Sequence, residues 1–129
     1  MRIRIKARDN RVYSGKEVVN YIIKITKDPI RLPDEFILND YVKENKWELK
    51  TISTSEVLKD PNFKETWSMN KKNFRYDNDY HKLNYSEYNQ PIVLYQDENE
   101  TLLIDGYSRT QRHLYNKDQT IKAYVNIKE

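Results

Sequence analysis

Apolar residues recur along this chain with two periods, and each period predicts a different element. Strict alternation with polar residues is typical of a strand with one buried face, whereas apolar spacings of three and four residues are typical of an amphipathic helix. Alternating or continuous apolar runs predict strands over 2–8, 46–52, 91–96, 101–105 and 120–127. Helical spacing and capping signals predict helices over 14–26, 33–42, 53–58, 61–72 and 108–116. We therefore expect an α/β (α+β) protein with a small mixed sheet and flanking helices.

Short motifs mark where several of these elements begin and end. Ser14 stands three residues before Glu17, the spacing of a helix capping box, and Ser53 stands at the same spacing before Glu56. The polar run at residues 97–100 predicts the turn of a hairpin between the strands that flank it. Residues 73–90 show no periodic pattern and are expected to form a long loop.

The most informative junction runs from Leu102 to His113, where an apolar strand ends at Asp105-Gly106 and a basic helical segment follows. Such a strand–glycine–helix junction is able to present free backbone N–H groups to a phosphate. Arg109 and Arg112 lie one turn apart on that helix and add positive charge. The alternative is a plain tight turn in which Gly106 supplies conformational freedom and Ser108 is an ordinary N-cap.

Composition excludes several classes of protein. The 129 residues suffice for one domain with a modest core, and 33% of them are charged. The chain has no cysteine, no apolar run of membrane-spanning length and no hydrophobic signal-peptide core, so we expect a cytoplasmic protein without a membrane partner. The two histidines do not have the spacing of a metal site, and no P-loop motif is present, so no metal ligands are predicted.

Positive charge is concentrated in the first third of the chain. Residues 1–33 contain nine Lys or Arg and three Asp or Glu, although the whole chain carries only +3. The basic residues of its beginning form a candidate nucleic-acid contact, since alternation brings the first four to one face of the predicted strand: Arg2, Arg4, Lys6, Arg8 and Arg11. The alternative is a solvated face, or an edge strand that is charged to prevent aggregation.

Three runs of the sequence, taken with their order and spacing, resemble the ParB/sulfiredoxin superfamily. They are the Pro-Ile-Val run within 83–95, the segment 102–109 with its Gly106-x-x-Arg109 motif, and the closing strand at 121–125. Residues 47–58 are similar to the opening strand and short helix of that superfamily. The resemblance implies a ParB/sulfiredoxin-like core over 46–129. Residues 1–45 are then a strand–helix extension within the same single domain.

The resemblance also implies a phosphate or nucleotide site. In that superfamily the Gly-x-x-Arg turn binds such ligands, which implies roles here for Gly106, Arg109 and the backbone of Tyr107 and Ser108. Tyr107 stands where sulfiredoxins have a catalytic cysteine, so sulfiredoxin activity is excluded. The helix-turn-helix domain of partition proteins has no counterpart, and the chain resembles a small stand-alone relative of the kind that mobile elements encode.

Two functional hypotheses remain open at this point. The first is a nucleotide-binding switch or enzyme of phosphoryl transfer or nucleic-acid cleavage, with a nucleotide and Mg²⁺ as its cofactors. Asp105 is its first candidate for a catalytic carboxylate and Glu48 the second, while Glu56 is also a capping residue. The second hypothesis is a non-catalytic module that binds nucleic acid or a protein, such as a regulator or inhibitor encoded by a mobile element.

Overall fold

The computed structural model describes residues 11–26, 32–71 and 89–128. The strand predicted over 2–8 and residues 73–88 of the predicted loop lie outside the described residues. Five strands are described: β1 (Val12–Tyr13), β2 (Trp47–Ser53), β3 (Ile92–Gln96), β4 (Thr101–Asp105) and β5 (Thr120–Asn126). The α-helices are α1 (Gly15–Ile25), α2 (Glu35–Ile37), α3 (Pro61–Asn70) and α4 (Tyr107–Tyr115). A π-helix (Leu38–Lys43) follows α2, and a 3₁₀ helix (Thr54–Lys59) precedes α3.

The strands form one mixed sheet in the order β1-β2-β5-β3-β4. All neighbours are antiparallel except β3 and β5, which run parallel. The predicted hairpin is confirmed, since β3 pairs with β4 and Leu94 lies opposite Leu103. Helices pack on both faces of the sheet, so the α+β class with a mixed sheet is confirmed.

The two faces of the sheet bury separate apolar clusters. The 3₁₀ helix, α3 and α4 cover one face, whose core includes Phe63, Leu94 and Val125. The helix α1 and the π-helix cover the other face, whose core includes Ile22 and Val93. Because alternate residues of β3 enter opposite clusters, this strand is apolar throughout rather than alternating. Leu114 packs against the first cluster, as the helical pattern predicts.

The N-terminal part of the described chain belongs to the same core. The capping box at the start of α1 is confirmed: the Ser14 side chain accepts from the Glu17 backbone N–H, and the Glu17 carboxylate accepts from that of Ser14. Val18 and Ile22 of α1 then pack with Val93 on the sheet. The predicted extension 1–45 therefore shares a hydrophobic core with residues 46–129, at least over its described part.

Of two local predictions, one is confirmed in position but not in helix type, and the other, the Ser53 cap, was wrong. The helix predicted over 33–42 is present, but after a single α-turn it continues as the π-helix. Trp47 donates its indole N–H to the Val42 carbonyl at 2.9 Å, and the Asn45 amide donates to the Tyr41 carbonyl at 2.6 Å. These side chains satisfy carbonyls at the end of the segment. Ser53 does not cap the 3₁₀ helix through its side chain, and its Oγ lies 2.8 Å from that of Ser55.

The start of α3 also protects an edge of the sheet. Asp60 caps α3, because one carboxylate oxygen accepts from the backbone N–H groups of Asn62 and Phe63. The other oxygen accepts from the Leu103 N–H at 2.7 Å. Because β4 is the last strand of the described sheet, this contact covers a donor that would otherwise lie unpaired on an edge. In the described part of the chain, no helix has the length and apolar character that crossing a membrane requires.

Candidate anion-binding turn

The turn between β4 and α4 requires glycine for two independent reasons. Gly106 has φ 112° and ψ 27°, a left-handed conformation that residues with a Cβ adopt at a cost. A Cβ at this position would lie 2.5 Å from Cγ2 of Ile92. The group that comes close to Gly106 is therefore Ile92, at the start of β3. A tight turn packed against this residue is sufficient to explain why the position is a glycine.

The first turn of α4 begins without a side-chain cap. Gly106 is the N-cap residue, so Ser108 lies inside the helix and does not have the capping role considered from the sequence. The Thr110 N–H donates to the Gly106 carbonyl at 2.8 Å and begins the helical hydrogen bonds. The N–H groups of residues 107–109 precede that series, and the first turn has no acidic residue. The first turn itself therefore has no carboxylate to neutralise the partial positive charge of the helix, and the adjoining Asp105 carboxylate is paired with Arg109.

Tyr107 anchors this turn to the neighbouring helix. Its ring meets that of Phe63 edge to face, with 5.3 Å between the centroids. Phe63 lies on α3 and is fully buried in the hydrophobic core, so the side chain of Tyr107 is directed into the protein. The ring of Tyr107 is thus partly buried against the cluster that contains Phe63.

Arg109 is directed into the protein, which differs from the expectation that it faces a ligand. The residue is 8% exposed, and its Nη2 lies 2.6 Å from Oδ2 of Asp105. Its Nη1 donates to the carbonyls of Pro91 at 2.5 Å and Gln90 at 3.3 Å, and to the Tyr21 hydroxyl at 3.4 Å. The guanidinium therefore joins α4 to the start of β3 and to α1. A phosphate contact by this side chain would require breaking those bonds.

Asp105 reaches the same face of the sheet through an irregularity in the β3–β4 pairing. Leu94 pairs with Leu103, but Val93 pairs with Asp105, so the register shifts by one residue between them. Asp105 thereby shares a face with Val93, towards α1. Burial raises the pKa of the Asp105 carboxyl, and the Arg109 guanidinium opposes that shift. A buried carboxylate already bonded to a guanidinium does not fit a Mg²⁺ ligand.

Glu48, the second candidate carboxylate, lies far from Asp105. The strands β5 and β3 stand between β2 and β4, so three strand spacings of about 4.8 Å separate them. Glu48 pairs with Val125, so the two side chains lie on the same face of the sheet. That face is opposite the one on which Val93 packs. Its carboxylate instead pairs with Lys50 at 3.3 Å. The structure therefore does not bring the two predicted catalytic carboxylates together.

The other candidate residues have separate positions. Glu56 accepts from Lys59 and Gln96, and these bonds lower the pKa of its carboxyl. Arg112 is half-buried on α4. Arg11 pairs with Glu17 at 2.6 Å and lies over the Tyr13 ring, 4.3 Å from its centroid. Four of the predicted nucleic-acid contacts lie outside the described residues: Arg2, Arg4, Lys6 and Arg8.

Sequence reasoning missed two side chains that matter to this turn. Asp60 had a usable signal, because an aspartate directly before Pro61 is a common helix start. Tyr21 had none, since its position on the face of α1 that meets the β3 entry depends on tertiary packing. Within the described ranges, no three acidic or histidine side chains gather where they could hold a metal ion.

Comparison of the chain with protein-family models, with curated proteins and with solved structures finds no match.

Proposed function

We propose that this protein binds a phosphate-bearing ligand, such as a nucleotide, at the first turn of α4. The single observation that carries the proposal is a glycine-capped helix start with no capping side chain and no acidic residue in its first turn. The N–H groups of residues 107–109 are the proposed donors. The ParB/sulfiredoxin-like resemblance of the Gly106-x-x-Arg109 motif agrees with this use of the turn.

The surroundings of the turn favour anion binding by the main chain. Ile92 packs against Gly106 and Phe63 packs against Tyr107, so the donors are held in fixed positions before a ligand arrives. Donors that are already in place lose little freedom on binding, and the helix dipole favours negative charge at this end. Arg109 makes no contact with the ligand in this proposal, because its charge is matched by Asp105 and its N–H donors are used inside the protein.

Binding without catalysis is the form of the proposal that the geometry favours. Phosphoryl transfer needs a carboxylate or metal close to the transferred group. Asp105 is bonded to Arg109, and Glu48 lies on the other face of the sheet. We therefore propose a nucleotide-responsive binding protein rather than an enzyme, which retains the non-catalytic character of the second sequence hypothesis.

The proposal is tested by isothermal titration calorimetry of the whole chain with phosphate, ADP, ATP and CTP, with and without Mg²⁺. Two variants at one position separate charge from size: Ser108→Glu adds a carboxylate to the first turn, and Ser108→Gln adds an amide of the same shape. We expect Ser108→Glu to weaken binding about five- to thirtyfold more than Ser108→Gln does, the upper range for a charge at a helix end. Absence of binding at millimolar ligand, or equal effects of the two variants, would overturn the proposal.

A nucleic-acid backbone offers the same phosphate chemistry and is tested separately. Gel-shift measurements at low salt use single- and double-stranded DNA and RNA. Loss of the gel shift in Ser108→Glu would indicate that the nucleic-acid phosphate backbone binds at the first turn of α4. Loss only in Arg2→Glu/Arg4→Glu would instead support contact through the basic N-terminal segment, with a steep dependence on salt.

A further inference from the structure

A partly buried polar network beneath the β4–α4 turn joins three segments of the chain at one carbonyl. The Tyr21 hydroxyl of α1 donates to the Pro91 carbonyl at 2.5 Å, and Nη1 of Arg109 donates to the same oxygen at 2.5 Å. Nη1 also lies 3.4 Å from the Tyr21 hydroxyl, which accepts from it. The position of Pro91 is therefore fixed from α1 and from α4 together.

The Pro91 carbonyl, which accepts these two hydrogen bonds, belongs to the residue directly before Ile92, whose side chain packs against Gly106 in the turn. Ile92 follows Pro91, and its side chain fills the space that a Cβ on Gly106 would need. Ile92 is fully buried and has no room to move independently of its backbone. A shift of the Pro91 carbonyl therefore changes the packing against Gly106, and with it the direction of the first-turn N–H groups.

Tyr21 is held in this position by its ring. It packs against Tyr124 with 5.0 Å between the ring centroids and 61° between the planes. Burial raises the pKa of Tyr21 to about 12, although Arg109 opposes that shift. The hydroxyl accordingly keeps its proton at neutral pH and acts as a donor to Pro91.

We infer that α1 sets the conformation of the β4–α4 turn through the Tyr21 hydroxyl, which is a positioning group for the N–H groups of residues 107–109. The effect on the turn is independent of any ligand. The effect on phosphate affinity rests on the proposed function.

Tyr21→Phe tests the inference, because it removes the hydroxyl and keeps the ring. Tyr124→Phe is the matched control, since it removes a hydroxyl from the adjoining ring with no hydrogen bond to Pro91 or Arg109. The chain has two glycines, so the Gly106 amide signal in ¹H–¹⁵N spectra of the ligand-free protein is readily assigned, and Gly15 serves as the reference. We expect Tyr21→Phe to shift the Gly106 signal and to weaken ATP or phosphate binding about two- to tenfold, the range for one hydrogen bond.

The two readouts distinguish the inference from the proposed function. A shifted Gly106 signal in Tyr21→Phe, with no ligand bound by either protein, supports the role of Tyr21 and overturns the phosphate site. An unchanged Gly106 signal and unchanged affinity in Tyr21→Phe overturn the inference and leave the phosphate site standing. A drop in the free energy of unfolding alone means that Tyr21 is merely structural, and it too overturns the inference. Equal effects of Tyr124→Phe do the same.

Discussion

Replacement of Arg109 by Met decides whether this arginine is part of the core or a ligand-binding side chain. Methionine keeps an unbranched chain of comparable length but removes the charge. The side chains of Arg109 and Asp105 are only 10% and 11% exposed, so water does little to screen the charge that remains on Asp105. Removing one partner of a buried ion pair costs about 3–5 kcal/mol. The Pro91 carbonyl keeps its bond from Tyr21, which limits the further loss.

A double-mutant cycle isolates the pair from other effects of the substitutions. Asp105→Asn removes the opposite charge and leaves Arg109 buried without a carboxylate, so its cost is of the same kind. The double variant contains neither charge, and we expect it to be more stable than the sum of the single losses predicts by about 2–3 kcal/mol. Lys50→Met is the surface control, because the Lys50 side chain is 48% exposed and such pairs contribute about 0–1 kcal/mol.

Urea unfolding followed by tryptophan fluorescence and by circular dichroism at pH 7 provides the free energies of unfolding. A loss of less than about 1 kcal/mol in Arg109→Met is well below the cost of an uncompensated buried charge. That result would refute the interpretation of Arg109 as a core residue and would return its guanidinium to the role of a ligand contact. If the losses in free energy of unfolding from Arg109→Met and Asp105→Asn simply add in the double variant, the two side chains do not interact, which would equally contradict the buried ion pair.

Two further predictions concern the same turn. Gly106→Ala should lower the free energy of unfolding by about 2–5 kcal/mol, because left-handed strain adds to a clash with Ile92, and an urea series measures it. The pKa of Tyr21 is raised from 10.0 to about 12, so the folded state holds this proton more tightly. Its contribution to the free energy of unfolding is complete below pH 10 and is lost as the pH rises towards 12. Tyr21→Phe should therefore lose less stability than the wild type over that interval. Equal losses in the two proteins would contradict the raised pKa of Tyr21.

The sequence alone determined those elements whose causes are local. The alternation in residues 120–127 and the apolar runs of β3 and β4 predicted the strands and their hairpin, since side-chain period and turn chemistry depend on neighbours in the chain. The capping box of Ser14 and Glu17 likewise needs only a spacing of three residues. Gly106 could be singled out because glycine at a strand-to-helix junction has few local explanations.

Only the tertiary structure decided how the charged residues of the turn are used. A one-residue shift in the β3–β4 register turns Asp105 towards α1, and the side chain of Arg109 follows it into the protein. The separation of Glu48 from Asp105 depends on strand order, which side-chain periodicity does not contain. Tyr21 enters the site from 70 residues away along the chain, through packing of its ring on the sheet. A buried charge takes whichever partner the fold brings within reach, and that choice is a property of the whole core rather than of any motif.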